Sequence, residues 1–338
     1  MNSIKPTAII VVLVWTTLFS FRDAAAQQAA WPQWRGPDGT GVASTGNPPI
    51  DWSETKNVKW KVKLPGLGHS SPVVSNDTIF LTTAIPIGEK LPARYSGAPG
   101  AHDNSPITQR QKFATIAIQL ADGKTKWQTD LHEALPHEGG HYTASLASAS
   151  PVTDGEHVIA HFGSHGTYAL DTDGKVVWQK QLGRMQSKHG HGEGSSPALF
   201  GDTVVINWDH EGTSFIVALH KATGEELWRK QRDEVTSWAS PLILTHDGNQ
   251  QVIVCGTTRV RAYDLKTGET IWECGGLSAN VVATPVAANG MVFVGSSYEK
   301  RSMFAIKLEG ANGDITGTKH VLWSRRDRTP YVLSLIHI

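Results

Sequence analysis

A tryptophan and a Ser/Thr-Pro pair alternate along this chain at a nearly constant pitch. The tryptophans are Trp60, Trp127, Trp178, Trp228, Trp272 and Trp323; after them come Ser71-Pro72, Ser150-Pro151, Ser196-Pro197, Ser240-Pro241, Thr284-Pro285 and Thr329-Pro330. From Pro151 to Pro330 the prolines are 46, 44, 44 and 45 residues apart. That pitch belongs to four-stranded propeller blades rather than to helical solenoids. Within one unit the residues read Pro151-Val152-Thr153, His157-Val158-Ile159-Ala160, Gly166-Thr167-Tyr168-Ala169-Leu170 and Lys175-Val176-Val177-Trp178, four strand-length pieces with turn-rich borders. The order returns at 197–228 and 241–272 and, with drift, at 285–323 and 72–127. The expectation is an all-β fold, a β-propeller with five complete blades here and seven or eight in the intact protein.

Each repeated residue has a mechanical reason for its place. Proline cannot donate to a ladder, so at the start of a first strand it suits the innermost strand, whose inner edge faces the central channel. In Gly-x-x-x-Trp the glycines Gly123, Gly174, Gly224 and Gly268 fall in the turn between the last two strands, where positive φ is required. The tryptophan then lies on the outermost strand, where a large rigid ring can cover the gap to a neighbouring blade. Ala117, Ala169, Ala218, Ala262 and Ala305 keep the third strand thin enough for such a ring.

Before the repeats, Lys5, an apolar run from Thr7 to Phe21 and Ala24-Ala25-Ala26 match the three regions of a secretory signal peptide, with cleavage expected after Ala26. The run, about 15 residues, is short of the roughly 20 that span a bilayer. A periplasmic or secreted protein without a stable membrane span follows. Residues 27–58 then form an N-terminal arm, with Trp31, Trp34 and Trp52 as anchors. Lys59-Trp60-Lys61-Val62 reads as an outer strand that closes the last blade, blades occupy 59–332, and 333–338 reads as a non-native tail. Residues 85–112, with Pro86, Pro92, Pro99 and Pro106, interrupt the first blade as a long loop, a composition shared by functional lids and disordered insertions. Cys255 and Cys274 fall on the second and fourth strands of one blade, about 10 Å apart at about 4.8 Å per strand, so two free thiols are expected. Lys plus Arg and Asp plus Glu both total 31, which leaves no net field to attract nucleic acid.

The segment Ala262-Tyr263-Asp264-Leu265-Lys266-Thr267-Gly268-Glu269-Thr270-Ile271-Trp272 resembles the repeat of the pyrroloquinoline-quinone-type propellers. That superfamily includes quinoprotein alcohol dehydrogenases and periplasmic outer-membrane assembly propellers. Trp31-Pro32-Gln33-Trp34-Arg35-Gly36-Pro37 followed by blades further resembles secreted propellers of environmental bacteria. The resemblance implies pyrroloquinoline quinone and calcium as cofactors of the enzymes in the group, which place a disulfide of adjacent cysteines beside the quinone. This chain has no adjacent cysteine pair, and the repeat aspartate present at Asp171 and Asp264 is replaced by Gln119, His220 and Lys307 elsewhere.

Chemistry has to be sought in the loops. Those joining an outer strand to the next inner strand, and those joining second to third strands, emerge on one face. Nine of the fifteen histidines fall in them: His69, His102, His132, His137, His141, His165, His189, His191 and His210. Glu193, Asp209, Trp238 and Arg259 stand beside them as further candidates for the ligand face. Lys188-His189-Gly190-His191-Gly192-Glu193 is the densest portion; if extended, it would point His189, His191 and Glu193 the same way. Imidazole and carboxylate suit zinc, nickel or copper, with His189, His191 and His210 as the metal-ligand candidates. Trp208 and Trp238 could stack on a planar ligand or pack between blades. Ser196 belongs to the recurring Ser-Pro pair and reads as architecture. The function expected is a non-catalytic binding or assembly scaffold whose loop face takes a protein, saccharide or small polar ligand. A quinone- and calcium-dependent dehydrogenase and a metal-dependent hydrolase or lyase are the alternatives.

Overall fold

The computed structural model describes residues 31–43, 46–332 and 334–335; the expected signal peptide and most of the expected tail lie outside them. Five antiparallel meanders of four strands follow one another. Blade 1 comprises Val73–Ser75, Thr78–Ile87, Arg110–Gln119 and Thr125–Ala134, and blade 2 Val152–Thr153, His157–His161, Thr167–Asp171 and Val176–Lys180. Blade 3 comprises Ala198–Phe200, Thr203–Trp208, Phe215–His220 and Glu226–Gln231, and blade 4 Leu242–His246, Asn249–Cys255, Arg259–Asp264 and Thr270–Gly275. Blade 5 comprises Val286–Ala288, Met291–Ser296, Ser302–Lys307 and Val321–Arg325. The fold is the β-propeller that the period implies. Central strands such as Thr203–Trp208 are buried almost throughout, because both faces of an interior blade meet a neighbour. The main apolar clusters accordingly lie between blades: Ile206, Trp208 and Val217 meet Val152 and Ile159, and Trp272 meets Val292 and Phe304.

The outer strands show what the tryptophans do. In Glu226–Gln231 only Trp228 is buried. Its cross-strand partner is Ala218, and the same pairing joins Trp127 to Ala117, Trp178 to Ala169, Trp272 to Ala262 and Trp323 to Ala305. The ring reaches forward onto the glycine turn of the next blade. A Cβ added at Gly174, Gly224 or Gly268 would stand 2.6–2.7 Å from the ring of Trp127, Trp178 or Trp228 respectively. The indole N–H donates to a carbonyl of that turn: Trp127 to Thr172 (2.8 Å), Trp178 to Lys221 (2.6 Å) and Trp228 to Leu265 (2.8 Å). The glycines therefore serve twice, accepting φ of 70–84° and giving the ring a flat seat. Residues 59–62 join no ladder, a departure from the expected closing strand, yet Trp60 sits on Gly123 and donates to Leu120 (3.0 Å) as the tryptophan of a preceding blade would.

At the inner ends the Ser/Thr-Pro pairs link blades through their hydroxyls. The backbone N–H of Ser71 donates to Ser150 Oγ (2.8 Å), Ser150 to Ser196 (2.9 Å), Ser196 to Ser240 (3.0 Å) and Ser240 to Thr284 (3.3 Å). The N–H of Thr284 goes to Ser334 Oγ (3.0 Å) rather than to Thr329.

The N-terminal arm crosses the inner strands. Trp31 exchanges backbone hydrogen bonds with Val74 (2.9 and 2.8 Å) and Pro32 O accepts from Thr153 N–H (2.8 Å), so two inner strands gain a backbone partner from the arm, and Gly39 packs near the Leu242 side chain. Arg35 fixes the arm's turn by donating to the carbonyls of Gly39, Thr40 and Leu335. Trp52 is not an anchor, being 77% exposed.

Two insertions depart from the repeat. In blade 1 the ladder continues to Ile87 and resumes at Arg110, so the loop is 88–109 and not 85–112. It is tied down by the Arg94–Ile107 bridge and by Asn104–Ser105 pairing with Gly140–His141. In blade 5 the tight turn of the other blades is replaced by residues 309–320, whose Gly313–Asp314 pairs parallel with Trp272–Glu273 and adds a fifth strand to the blade 4 sheet. Cys255 and Cys274 are buried free thiols, and burial pushes them up to about 12 and about 11.

Candidate functional site

The blade 2–3 connection turns instead of extending. Residues 188–190 form a single 3₁₀ turn with His189 in the left-handed region (φ 58°). Gly190 and Gly192, both at positive φ, let the segment lie against Ser96 and Gly140. The period-two expectation therefore fails: His189 and His191 face the blade 1 insertion, and Glu193 turns the other way to Ser164.

Around His189 and His191 the structure gathers two histidines from other segments. Ring centroids are 4.8 Å apart for His102–His189 and His102–His191, 4.9 Å for His141–His191 and 5.4 Å for His189–His191. Backbone ties hold the segments: His141 N–H donates to His191 O (3.0 Å), and Asn104 Nδ2 to His189 O (2.9 Å). Trp238, half-buried, donates from its indole to Gly192 O (2.8 Å) with its ring 6.4 Å from that of His191.

His210 is not part of this group. Its Nδ1 accepts the N–H of Gln186 (3.2 Å) and Gly212 (3.1 Å), and Nε2 donates to Thr213 O (3.1 Å), leaving no lone pair for a metal. The metal set His189, His191 and His210 is thus corrected at its third member. His102 carried too little local signal to be singled out, because its neighbours come from other repeats.

A second group lies deeper. Glu193, with 17% of its side chain exposed, accepts both N–H and Oγ–H of Ser164 (2.6 Å each), and burial pushes its carboxyl up to about 7. His137 donates to Met185 O (2.9 Å) and lies 3.8 Å from Glu193. His165 stacks on Phe113 at 4.2 Å; burial, then the neighbouring His137 and His132, lowers it to about 4. Burial likewise holds His161, beside Thr167, at about 4. Glu138 binds Ser187, and burial raises its carboxyl. These residues, with Asn207, Asp209, His210 and Trp238, line a cleft whose free space is about 40 Å³, room for little more than water.

The remaining candidates are tied into structure. Asp209 makes a fully buried bidentate pair with Arg232 (2.7 and 3.1 Å) and accepts Ser237 Oγ–H (2.7 Å); Arg232 also donates to Tyr263. Arg259 pairs with Asp314 (3.0 Å) and Glu273 (3.3 Å), clamping the added strand of blade 4. His69 is exposed at a separate part of the loop face, with its backbone N–H on Ala147 O. Trp208, 1% exposed, stacks on Phe215 within the core.

Over residues 36–207 and 212–336 the chain matches the family described as outer membrane protein assembly factor BamB. The chain belongs to this family. A curated relative, the outer membrane protein assembly factor BamB of Francisella salina, is 28% identical over 142 residues, 41% of this chain and 24% of the relative. The chain thus spans about a quarter of the length of that relative. Among solved structures, quinohemoprotein alcohol dehydrogenase from Comamonas testosteroni aligns with a TM-score of 0.50 and 12% identity, over 90% of this chain and 50% of its own. BamB from Moraxella catarrhalis aligns with 0.43 and 16%, over 73% and 78%. The dehydrogenase likeness is one of fold.

The quinone and calcium implied by the wider resemblance do not fit the cleft lined by Glu193 and Asp209 in this BamB-family chain. That cleft has free space of about 40 Å³, well below the roughly 300 Å³ of a cofactor pocket; an open depression beside it, lined by Arg94, Tyr95, His137, Glu138 and Arg184, has about 500 Å³. The carboxylates that could hold calcium are already bonded to Ser164, Arg232 and Ser237. No helix among the described residues is long and apolar enough to cross a membrane.

Proposed function

We propose that this chain is a non-catalytic assembly scaffold that works outside the cytoplasm and presents its histidine-rich loop face to a polypeptide partner. The observation that carries the reading is the state of the polar groups at the centre of that face. Ser195 donates to Ala239 O, Ser196 sits in the inter-blade hydroxyl series, Asp209 is neutralised by Arg232, and Glu193 is bonded by Ser164. Each of these acid, base and nucleophile side chains is thus held by a structural partner rather than by a catalytic one. What the face offers is a broad rim of loops, with Tyr142 and Tyr298 exposed on it. Aromatic side chains of this kind anchor protein partners. The family's name, an outer membrane protein assembly factor, agrees with a polypeptide partner and an extracytoplasmic setting, as does the signal-like N-terminus.

Photo-crosslinking residues at Tyr142 and Tyr298, with Asp173 and Lys266 in the opposite turns as controls, test the reading in envelope preparations. Polypeptide adducts confined to the loop-face positions are expected. Equal labelling of both faces, or alcohol-dependent dye reduction after addition of pyrroloquinoline quinone and calcium, would overturn it.

A further inference from the structure

We propose that His102, His141, His189 and His191 form a binding site for a divalent transition-metal ion of the zinc type, which ties the blade 1 insertion to the blade 2–3 connection. Imidazoles are ligands of choice for such ions, and four protein ligands make a closed, structural site. Four imidazoles held tetrahedrally at bonds of about 2.0–2.1 Å place their ring centres about 5 Å apart. His102, His189 and His191 have that spacing among themselves, 4.8, 4.8 and 5.4 Å, and His141 joins them through His191 at 4.9 Å.

The hydrogen bonds set the protons. A carbonyl oxygen only accepts, so a ring nitrogen facing one carries the hydrogen and leaves the lone pair on the other nitrogen. His102 Nδ1 faces Gly100 O (2.8 Å), His189 Nδ1 faces Gly100 O (3.1 Å), and His191 Nε2 faces His102 O (3.2 Å). The lone pairs thus fall on His102 Nε2, His189 Nε2 and His191 Nδ1. This is the outer-shell pattern that orients metal-binding histidines. His189 Nε2 is buried and has no hydrogen-bond partner, a cost that a metal bond would remove. His141 Nδ1 lies 2.7 Å from Thr143 Oγ, a hydroxyl that can accept its hydrogen, which leaves the lone pair on His141 Nε2.

As the rings stand, no three of these nitrogens lie within 4.8 Å of one another. An ion needs them about 3.4 Å apart, so binding has to bring the segments that carry these rings closer together. The other cluster of suitable groups, Asp154, Glu156 and His157, has its aspartate held by Lys221 at 2.7 Å.

The test is zinc titration of the full chain by calorimetry, with cobalt(II) absorption reporting the ligand field. One ion per chain is expected, with four-coordinate cobalt bands and slower proteolysis within 88–109 when zinc is present. His102→Ala, His189→Ala and His191→Ala should each weaken zinc binding more than about tenfold, while His69→Ala and His132→Ala leave it unchanged. Circular dichroism of each variant shows that the blades are intact. Absence of binding, or binding abolished by His157→Ala but not by His189→Ala, would overturn the proposal. Partner crosslinking is read separately, so either idea can fail alone.

Discussion

The joint between blades 3 and 4 and the joint between blades 4 and 5 bury equivalent tryptophans by different means. At the first, Trp228 reaches across to Gly268 and donates to Leu265 O. At the second the receiving turn has become a twelve-residue excursion, 309–320, and Trp272 turns its N–H to Gln251 of its own blade (3.3 Å). Gly313–Asp314 lies alongside as an added strand, and Trp272 ends fully buried where Trp228 is 8% exposed. The difference shows that the propeller requires a sealed joint, and that the indole-on-glycine contact is one way to seal it.

Substitutions separate these two solutions. The largest effect is expected for Trp228→Ala and Trp272→Ala, each destabilising by about 3–5 kcal/mol in denaturant unfolding; a much smaller loss at Trp272 would show that the added strand alone seals its joint. Gly268→Ala places a Cβ 2.6 Å from the Trp228 ring at φ 72°, an expected loss of about 2–3 kcal/mol. Gly313→Ala has nearly the same φ, 68°, and nothing within 4 Å, so about 1 kcal/mol is expected from backbone strain alone. Equal losses at these two glycines would remove the role assigned to the ring contact. Trp228→Phe leaves the Leu265 carbonyl without its donor, about 1 kcal/mol, whereas Trp272→Phe frees a side-chain amide that can turn to another partner and should lose less. The smallest change is expected for Trp323→Ala, below about 1 kcal/mol, since that ring is 40% exposed.

The regular wall was legible because its signals are local or periodic. Trp, Ala, Gly and Pro each mark a strand or turn within a few residues, and the 44–46 residue pitch aligns them. What each tryptophan touches was not legible, because its glycine lies in the following repeat. The added strand at Gly313–Asp314 was hidden for a related reason: two polar residues become a strand only because the edge of blade 4 is there to receive them. In blade 1, Ile85-Pro86-Ile87 looked like the start of a loop, yet facing Lys112, Gln111 and Arg110 it continues the ladder. On the loop face the crowding of histidines could be read, but their partners could not. Positive φ at Gly190 and Gly192 converted an expected alternation into a turn and sent Glu193 to a different neighbour from His189. His102 and His141 join that pair through tertiary contacts with the insertion.

The hydroxyl series at the inner ends has a consequence for how such a molecule can change over time. Each bond there is donated by one Ser/Thr-Pro pair and accepted by its counterpart a single repeat later, from Ser71 through Thr284. A segment of one repeat length duplicated or excised between Ser71 and Thr284 would therefore leave a matching donor and acceptor at the new junction. Proteins assembled on this plan can gain or lose whole segments without redesigning those that remain.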